Sequence, residues 1–219
     1  MRAEFASVAA GSDRPNGNWV GVTASAVALL DGDGSGTGPG TEQRVALLGS
    51  AMLGRLADPA LTVESCLTEA TVEAHRPPDD PLDVRHTPPP RLAAAVVRVI
   101  GDELEWAVVH DAVVILDLPS GLRVITGSVG DDGRPTSGEP VFGRTGLDGV
   151  RQVAMLSSGA VRLVTFGIAV WEQVIYTLAK DGPQVLIDEV RQFEAVDRHC
   201  QRWPRSATTD DATAVLLRF

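Results

Sequence analysis

Between Leu92 and Thr126 the chain sets out four apolar runs: Leu92 to Ile100, Leu104 to His110, Val113 to Leu116 and Leu122 to Thr126. Only a few residues separate each run from the next. Gly101-Asp102 and Ser120-Gly121 are turn dipeptides of the kind that close hairpins. Connections this short join antiparallel strands, because a parallel crossover needs a dozen residues or more. Helical spacing flanks the block on both sides. Before it, Thr41 to Leu56 carries Val45, Leu48, Met52 and Leu56 on one face, and Thr62 to His75 follows with Thr62 as its cap. After it come a short strand, Val153 to Leu156, and helices over Val161 to Phe166, Ala169 to Ala179 and Pro183 to Asp197. Pro183 suits a first helical turn. Glu4 to Ala10 and Ser25 to Leu30 read as early strands, and Ala214 to Phe219 as the last. Segregated strands and helices imply an α+β fold. Two antiparallel sheets face to face, with helices on the outside, would bury every apolar face, giving a four-layer α-β-β-α sandwich. A single domain over 1–219 is expected.

Charge and composition narrow the function classes. The net charge is -10, with 29 acidic and 19 basic residues. Nucleic-acid binding is excluded on this balance, because a binder needs a basic face to displace phosphate counterions. Adhesion to anionic lipid is disfavoured for the same reason. No run of about 18 uncharged apolar residues exists, so no membrane span is expected, and the cytoplasm is the expected compartment. Cys66 and Cys200 lack metal-like spacing and read as free thiols. Lys180 is the only lysine, which leaves little scope for lysine chemistry.

Carboxylates recur at strand ends and turns. Asp31-Gly32 closes an apolar strand, Asp111 follows Trp106 to His110, and Asp210-Asp211-Ala212-Thr213 leads into the last strand. Such carboxylates can converge at one edge of a sandwich and offer the oxygen ligands that Mg²⁺ or Mn²⁺ require. Taken singly, each is an ordinary turn aspartate capping backbone N–H groups.

Taken together and in order, these motifs resemble those of the metal-dependent serine/threonine protein phosphatases of type 2C, the PPM family. The resemblance runs along nearly the whole chain. It aligns Asp13-Arg14-Pro15-Asn16-Gly17-Asn18 with the first motif, Leu30-Asp31-Gly32 with the second and His110-Asp111-Ala112 with the third. Ser157-Ser158-Gly159 aligns with the fourth and Asp210-Asp211-Ala212-Thr213 with the last, which is the best match. The resemblance implies an α-β-β-α sandwich and a two-metal centre. Metal positions fall on Asp31, the Gly32 carbonyl and Asp210, and Arg14 stands where the family binds phosphate.

The departures bear on chemistry. Gly17 and Asn18 stand where the family has an acidic pair, and Ser158 stands where it has a metal-ligating aspartate. Thr126-Gly127-Ser128 replaces an acidic stretch. Two divalent ions bring four positive charges together, and anionic ligands must offset their repulsion and lost hydration. With Asp31 and Asp210 as the main remaining anions, helped by Asp111 or Asp211, the centre is expected to hold one weak Mg²⁺ or Mn²⁺, or none.

Other residues keep two readings each. Arg14 is either a bidentate phosphate donor or a surface ion pair with Asp13 or Asp33. His110, beside Asp111 and near Asp31, is either a proton shuttle or a space-filler at a strand end. Trp203, among Arg202 and Arg205, is either an aromatic pocket wall or the anchor of a loop. His75 complements a helix C-terminus and His86 is a solvated loop residue. Gly127 to Gly149, rich in Gly, Pro and Asp, reads as one long loop.

Three functions follow as expectations. The first is a weak or inactive phosphatase-like domain that binds a phosphoprotein, another protein partner or a small-molecule ligand. The second is an active, divergent Mg²⁺/Mn²⁺ phosphatase that recruits Asp33, Asp111, Asp131 or Asp132. The third is a metal-independent enzyme using Asp31, His110 and Asp111 on a small metabolite.

Overall fold

The computed structural model describes residues 1–32, 41–74, 92–127 and 139–219. Asp33, His75, His86, Asp131 and Asp132 lie outside the described residues, as do most of the glycine-rich 32–40 and proline-rich 77–90 segments.

Among the described residues, ten strands form two five-stranded antiparallel sheets. The first sheet contains β1 (Arg2–Val8), β6 (Val113–Leu118), β7 (Gly121–Thr126), β9 (Gln152–Leu156) and β10 (Ala212–Arg218), in the order β1-β10-β9-β6-β7. The second contains β2 (Asn18–Val22), β3 (Ala26–Gly32), β4 (Leu92–Ile100), β5 (Glu103–Val109) and β8 (Val141–Gly146), in the order β2-β3-β4-β5-β8. The helices are α1 (Thr41–Leu56), α2 (Val63–Ala74), α3 (Arg162–Thr165), α4 (Trp171–Lys180) and α5 (Pro183–Val196).

Alternation along the strands creates three apolar layers. Val27, Leu29, Val97, Trp106, Val114, Leu116, Met155 and Val215 fill the space between the sheets. On the outer face of the second sheet, Ala28, Leu30 and Val96 meet Val45, Met52 and Leu56 of α1 and Cys66 of α2. On the outer face of the first, Ile115, Leu156 and Leu216 meet Leu178 of α4 and Leu186 and Val190 of α5. The expected four-layer sandwich is the observed one.

Most elements fall where the periodicity puts them. Thr62 Oγ1 accepts the Ser65 N–H at 3.0 Å, capping α2 as expected. Gly101 and Gly121 turn the β4–β5 and β6–β7 hairpins with φ of 56° and 118°. Cys66 and Cys200 are free thiols.

Two strands escape the sequence reading. β2 is one. The other is β8, which lies inside the stretch read as a continuous loop from Gly127 to Gly149. Both are edge strands, and each contains a glycine whose side-chain space is taken by a tryptophan. The Trp19 ring lies where a Cβ on Gly21 would project, and the Trp106 ring does the same at Gly143. Trp106 and Gly143 are register partners across β5 and β8. A glycine in a strand reads as a breaker, yet here it is the slot for an indole.

Arg98 and Glu105, both buried, pair between β4 and β5. Arg98 also donates to the carbonyls of Leu56, Asp58 and Leu61, fixing the α1–α2 connection to the sheet. This pair holds helix to strand far from the acidic strand ends.

Candidate functional site

Register brings the acidic motifs to one edge of the sandwich. Asp31, at the end of β3, pairs with Asn18 on β2 and Ala93 on β4. Ala94 pairs with Val109, so β5 ends beside Asp31. His110-Asp111-Ala112 then crosses to the other sheet, where Val113 pairs with Leu156 at the end of β9. Ser157 to Gly159 leaves β9, and Asp210-Asp211 enters β10, at that same edge.

The centre of the cluster is Ser158. Its backbone N–H donates to Asp31 Oδ2 at 3.0 Å and its hydroxyl to the same oxygen at 2.8 Å. The hydroxyl also lies 3.3 Å from Asp210 Oδ2. Ser157 anchors the turn, accepting the Thr213 N–H on Oγ at 2.9 Å and donating its own N–H to the Thr213 carbonyl at 3.0 Å. Gly159 is compelled: a Cβ there would collide with the Asp211 carbonyl.

Burial pushes the Asp31 carboxyl up to about 7. The Ser158 hydroxyl opposes the rise, the charges of Asp210 and Asp111 add to it, and the Ser158 N–H opposes it. A single hydroxyl proton cannot serve two carboxylates at once. A proton on Asp31 relieves the conflict at neutral pH.

The remaining motif residues take up other work. Asp211 turns toward the β1–β2 connection, where Oδ1 accepts the Ala10 N–H at 2.6 Å and Oδ2 the Gly17 N–H at 2.7 Å. A Cβ on Gly17 would lie 3.1 Å from Asp211 Oδ2 and 3.4 Å from the Gly32 carbonyl oxygen. Asn18 reaches across to the other sheet, donating to Thr213 Oγ1 at 3.0 Å. Arg14 is exposed on the β1–β2 connection and pairs with no described residue, Asp13 included, while Asp33 lies outside the described residues. His110 takes a left-handed conformation (φ 55°), and its Nδ1 is buried with no partner among the described residues. Gly127 packs against the His110 backbone so closely that a Cβ would collide with it. Asp111 lies close enough to Asp31 to raise its pKa.

Sequence reading missed the second ring of charge. Arg162 donates to Asp210 Oδ2 at 3.4 Å and pairs with Glu194, which is fully buried. Arg191 pairs with Glu194 at 2.6 Å and donates to the Asp210 carbonyl at 2.7 Å. Glu194 stands four residues after Val190 and seven after Ile187, on the buried face of α5, and a carboxylate on that apolar stripe is the one signal of a buried partner the sequence offers.

Trp203 anchors a loop. It stacks on Phe166 at 4.8 Å and meets Phe193 edge-on at 6.0 Å. Asp197 ties the same loop down, accepting N–H groups from Gln201, Arg202 and Trp203 and pairing with Arg205 at 2.7 Å.

No family model and no curated protein sequence matches this chain. Solved structures do. Serine/threonine phosphatase Stp1 from Staphylococcus aureus superposes with a TM-score of 0.65 at 14% identity, over 100% of this chain and 95% of that one. The fold is that of the bacterial serine/threonine phosphatases. The phosphatase PstP/Ppp of Mycobacterium tuberculosis shares this phosphatase fold, with a TM-score of 0.60, 16% identity, and 98% and 97% of the two chains covered. So does RsbX, solved in complex with magnesium, with a TM-score of 0.59, 13% identity, and 98% and 92% covered. Within this phosphatase fold, the described residues gather no group of three or more His, Cys, Asp or Glu side chains that could hold a metal ion. Asp31 and Asp210 are joined through a neutral hydroxyl. That donor set does not fit two divalent ions, whose four charges need anions between them. No helix among the described residues is long and apolar enough to cross a membrane.

Proposed function

We propose that this phosphatase-fold protein has an eroded two-metal centre and acts as a binding or regulatory protein, with little or no phosphatase activity. The observation that carries the reading is Ser158. It stands where the family resemblance puts a metal-ligating aspartate and instead donates an N–H and an O–H to Asp31. Hydrolysis in this fold family needs a metal-activated water and a clamp on the phosphoryl oxygens, and a hydroxyl supplies neither. Asp211 and Gly17 support the same reading: the carboxylate is committed to two backbone N–H groups, and it crowds the space where an acidic side chain would stand. Ligands for the resulting surface are a phosphoprotein, another protein partner or a small molecule. The test is p-nitrophenyl phosphate turnover in Mn²⁺ against turnover in EDTA. Equal, background rates are expected. Mn²⁺-dependent turnover abolished by Asp31→Ala would overturn the reading.

A second reading is favoured by one observation: the charges of Asp210 and Asp111 both act on Asp31. Carboxylates within electrostatic reach of one another attract a cation, and perturbed carboxyls mark functional clefts. On this reading the protein is a divergent Mg²⁺ or Mn²⁺ phosphatase. Calorimetry showing no binding of either ion at millimolar concentration eliminates it.

A further inference from the structure

Asp210 is held at four points. Its Oδ2 faces Arg162 and Ser158, its Oδ1 accepts the Asp211 N–H at 3.0 Å, and its carbonyl accepts from Arg191. Behind it, the fully buried Glu194 carboxylate accepts from both arginines, one on each oxygen. The side chains of Arg162 and Arg191 are 9% and 22% exposed. Two guanidinium groups and two carboxylates therefore form one cluster of zero net charge. Glu194 alone cannot neutralise both arginines, and Asp210 supplies the missing negative charge. Buried or half-buried charges require this balance, because an uncompensated one is costly.

The cluster also joins distant parts of the chain. Arg162 opens α3, Glu194 and Arg191 lie on α5, and Asp210 precedes β10. Arg191 reaches the carbonyls of Val8 and Ala9 at the end of β1, and Arg162 that of Thr208.

We propose that Arg162 is a built-in counter-cation for Asp210, giving this edge of the cleft the positive charge that a divalent ion would otherwise provide. The inference rests on the reading of an eroded metal centre and deepens it. Arg162 is a positioning residue: it aims Asp210 at Ser158 and withholds it from metal. A divalent ion entering beside Asp210 must displace the guanidinium or accept its repulsion. Removing the guanidinium charge frees Asp210 as an oxygen ligand, while Arg191 keeps Glu194 paired and the fold intact.

Mn²⁺ affinity, measured by calorimetry on the full chain, tests this. Arg162→Gln is expected to bind Mn²⁺ at least about tenfold more tightly than the wild type. Arg162→Lys, which keeps the charge, is expected to stay near the wild type. The gain is expected to vanish in Arg162→Gln combined with Asp210→Asn. A folded Arg162→Gln no tighter than the wild type overturns the proposal. Should Arg162→Gln fail to fold, Asp210→Asn decides alone: affinity equal to the wild type within about twofold supports the proposal, and a tenfold loss overturns it, since Asp210 would then already be a ligand. Phosphatase turnover is measured separately. Mn²⁺-dependent turnover would sink the eroded-centre reading, whereas the affinities of these variants decide the role of Arg162.

Discussion

Ser158 stands 2.8 Å from Asp31, with its hydroxyl donated to the carboxyl and its own N–H donated to the same oxygen. The contact joins the end of β9 in one sheet to the end of β3 in the other. It closes the edge of the sandwich with a hydrogen bond at the aspartate that the family resemblance expects two metal ions to share. On the proposed reading, the proton balance of the site, rather than a cation, sets its electrostatics.

That balance predicts a pH dependence. Unfolded, Asp31 releases its proton near the ordinary value of about 4; folded, it does so near 7. Between these values the folded state holds more protons than the unfolded one, so stability falls as pH rises from about 4 to 7 and the full penalty is present above 7. Asp31→Asn keeps an oxygen to accept from Ser158 and carries no charge. In EDTA its Tm is expected to exceed the wild type's at pH 8, by about 2–4 °C for each kcal/mol recovered, and to converge with it near pH 4. A lower Tm for Asp31→Asn at pH 8 contradicts the account.

Asp197 shows the opposite sign. Burial works against its ionised form, but Arg205 and three backbone N–H groups outweigh that and hold its carboxyl well below the usual carboxylate range. The stabilisation is present above the ordinary value of about 4 and is lost as pH falls toward the folded value. Asp197→Asn is expected to lower Tm at pH 7, loosening the Trp203 loop, and the gap is expected to narrow as pH drops below about 4. A gap that widens in acid contradicts the assignment.

Two glycines make a matched pair. Gly159 has the Asp211 carbonyl where a Cβ would go, whereas Gly54, in α1, has nothing within 4 Å. Gly159→Ala is expected to destabilise by about 1–3 kcal/mol or more, through overpacking against backbone that cannot give. Gly54→Ala is expected to stabilise by about 0.5–1 kcal/mol through helix propensity. Denaturant unfolding of the two variants checks both signs.

Much of this architecture is legible in the chain because burial is periodic. Val45, Met52 and Leu56 repeat at helical spacing, and α1 forms over the expected Thr41–Leu56. Asp31 and Asp210 stand out only as members of an ordered set of motifs, since each alone is an ordinary turn aspartate. β2 and β8 are hidden because Gly21 and Gly143 look like breakers when read without the tryptophans that fill their space. The cluster of Arg162, Arg191 and Glu194 is hidden for a different reason. Arg191 and Glu194 are a local i,i+3 pair on α5, but Arg162 and Glu194 are 32 residues apart and Arg162 and Asp210 are 48 apart, and no local pattern links Arg162 or Asp210 to that pair before α3, α5 and β10 have packed. Ser158 is conspicuous only against the pattern it departs from.

The account stands on the claim that a hydroxyl, and not a pair of ions, joins the two sheets at Asp31. A crystal structure from crystals soaked in millimolar Mn²⁺, with anomalous data collected for manganese, tests it directly. The prediction is that the Ser158 hydroxyl remains bonded to Asp31 with no pair of anomalous peaks beside it. Two peaks roughly 3.5–4 Å apart, sharing Asp31 and with Ser158 displaced, would contradict it.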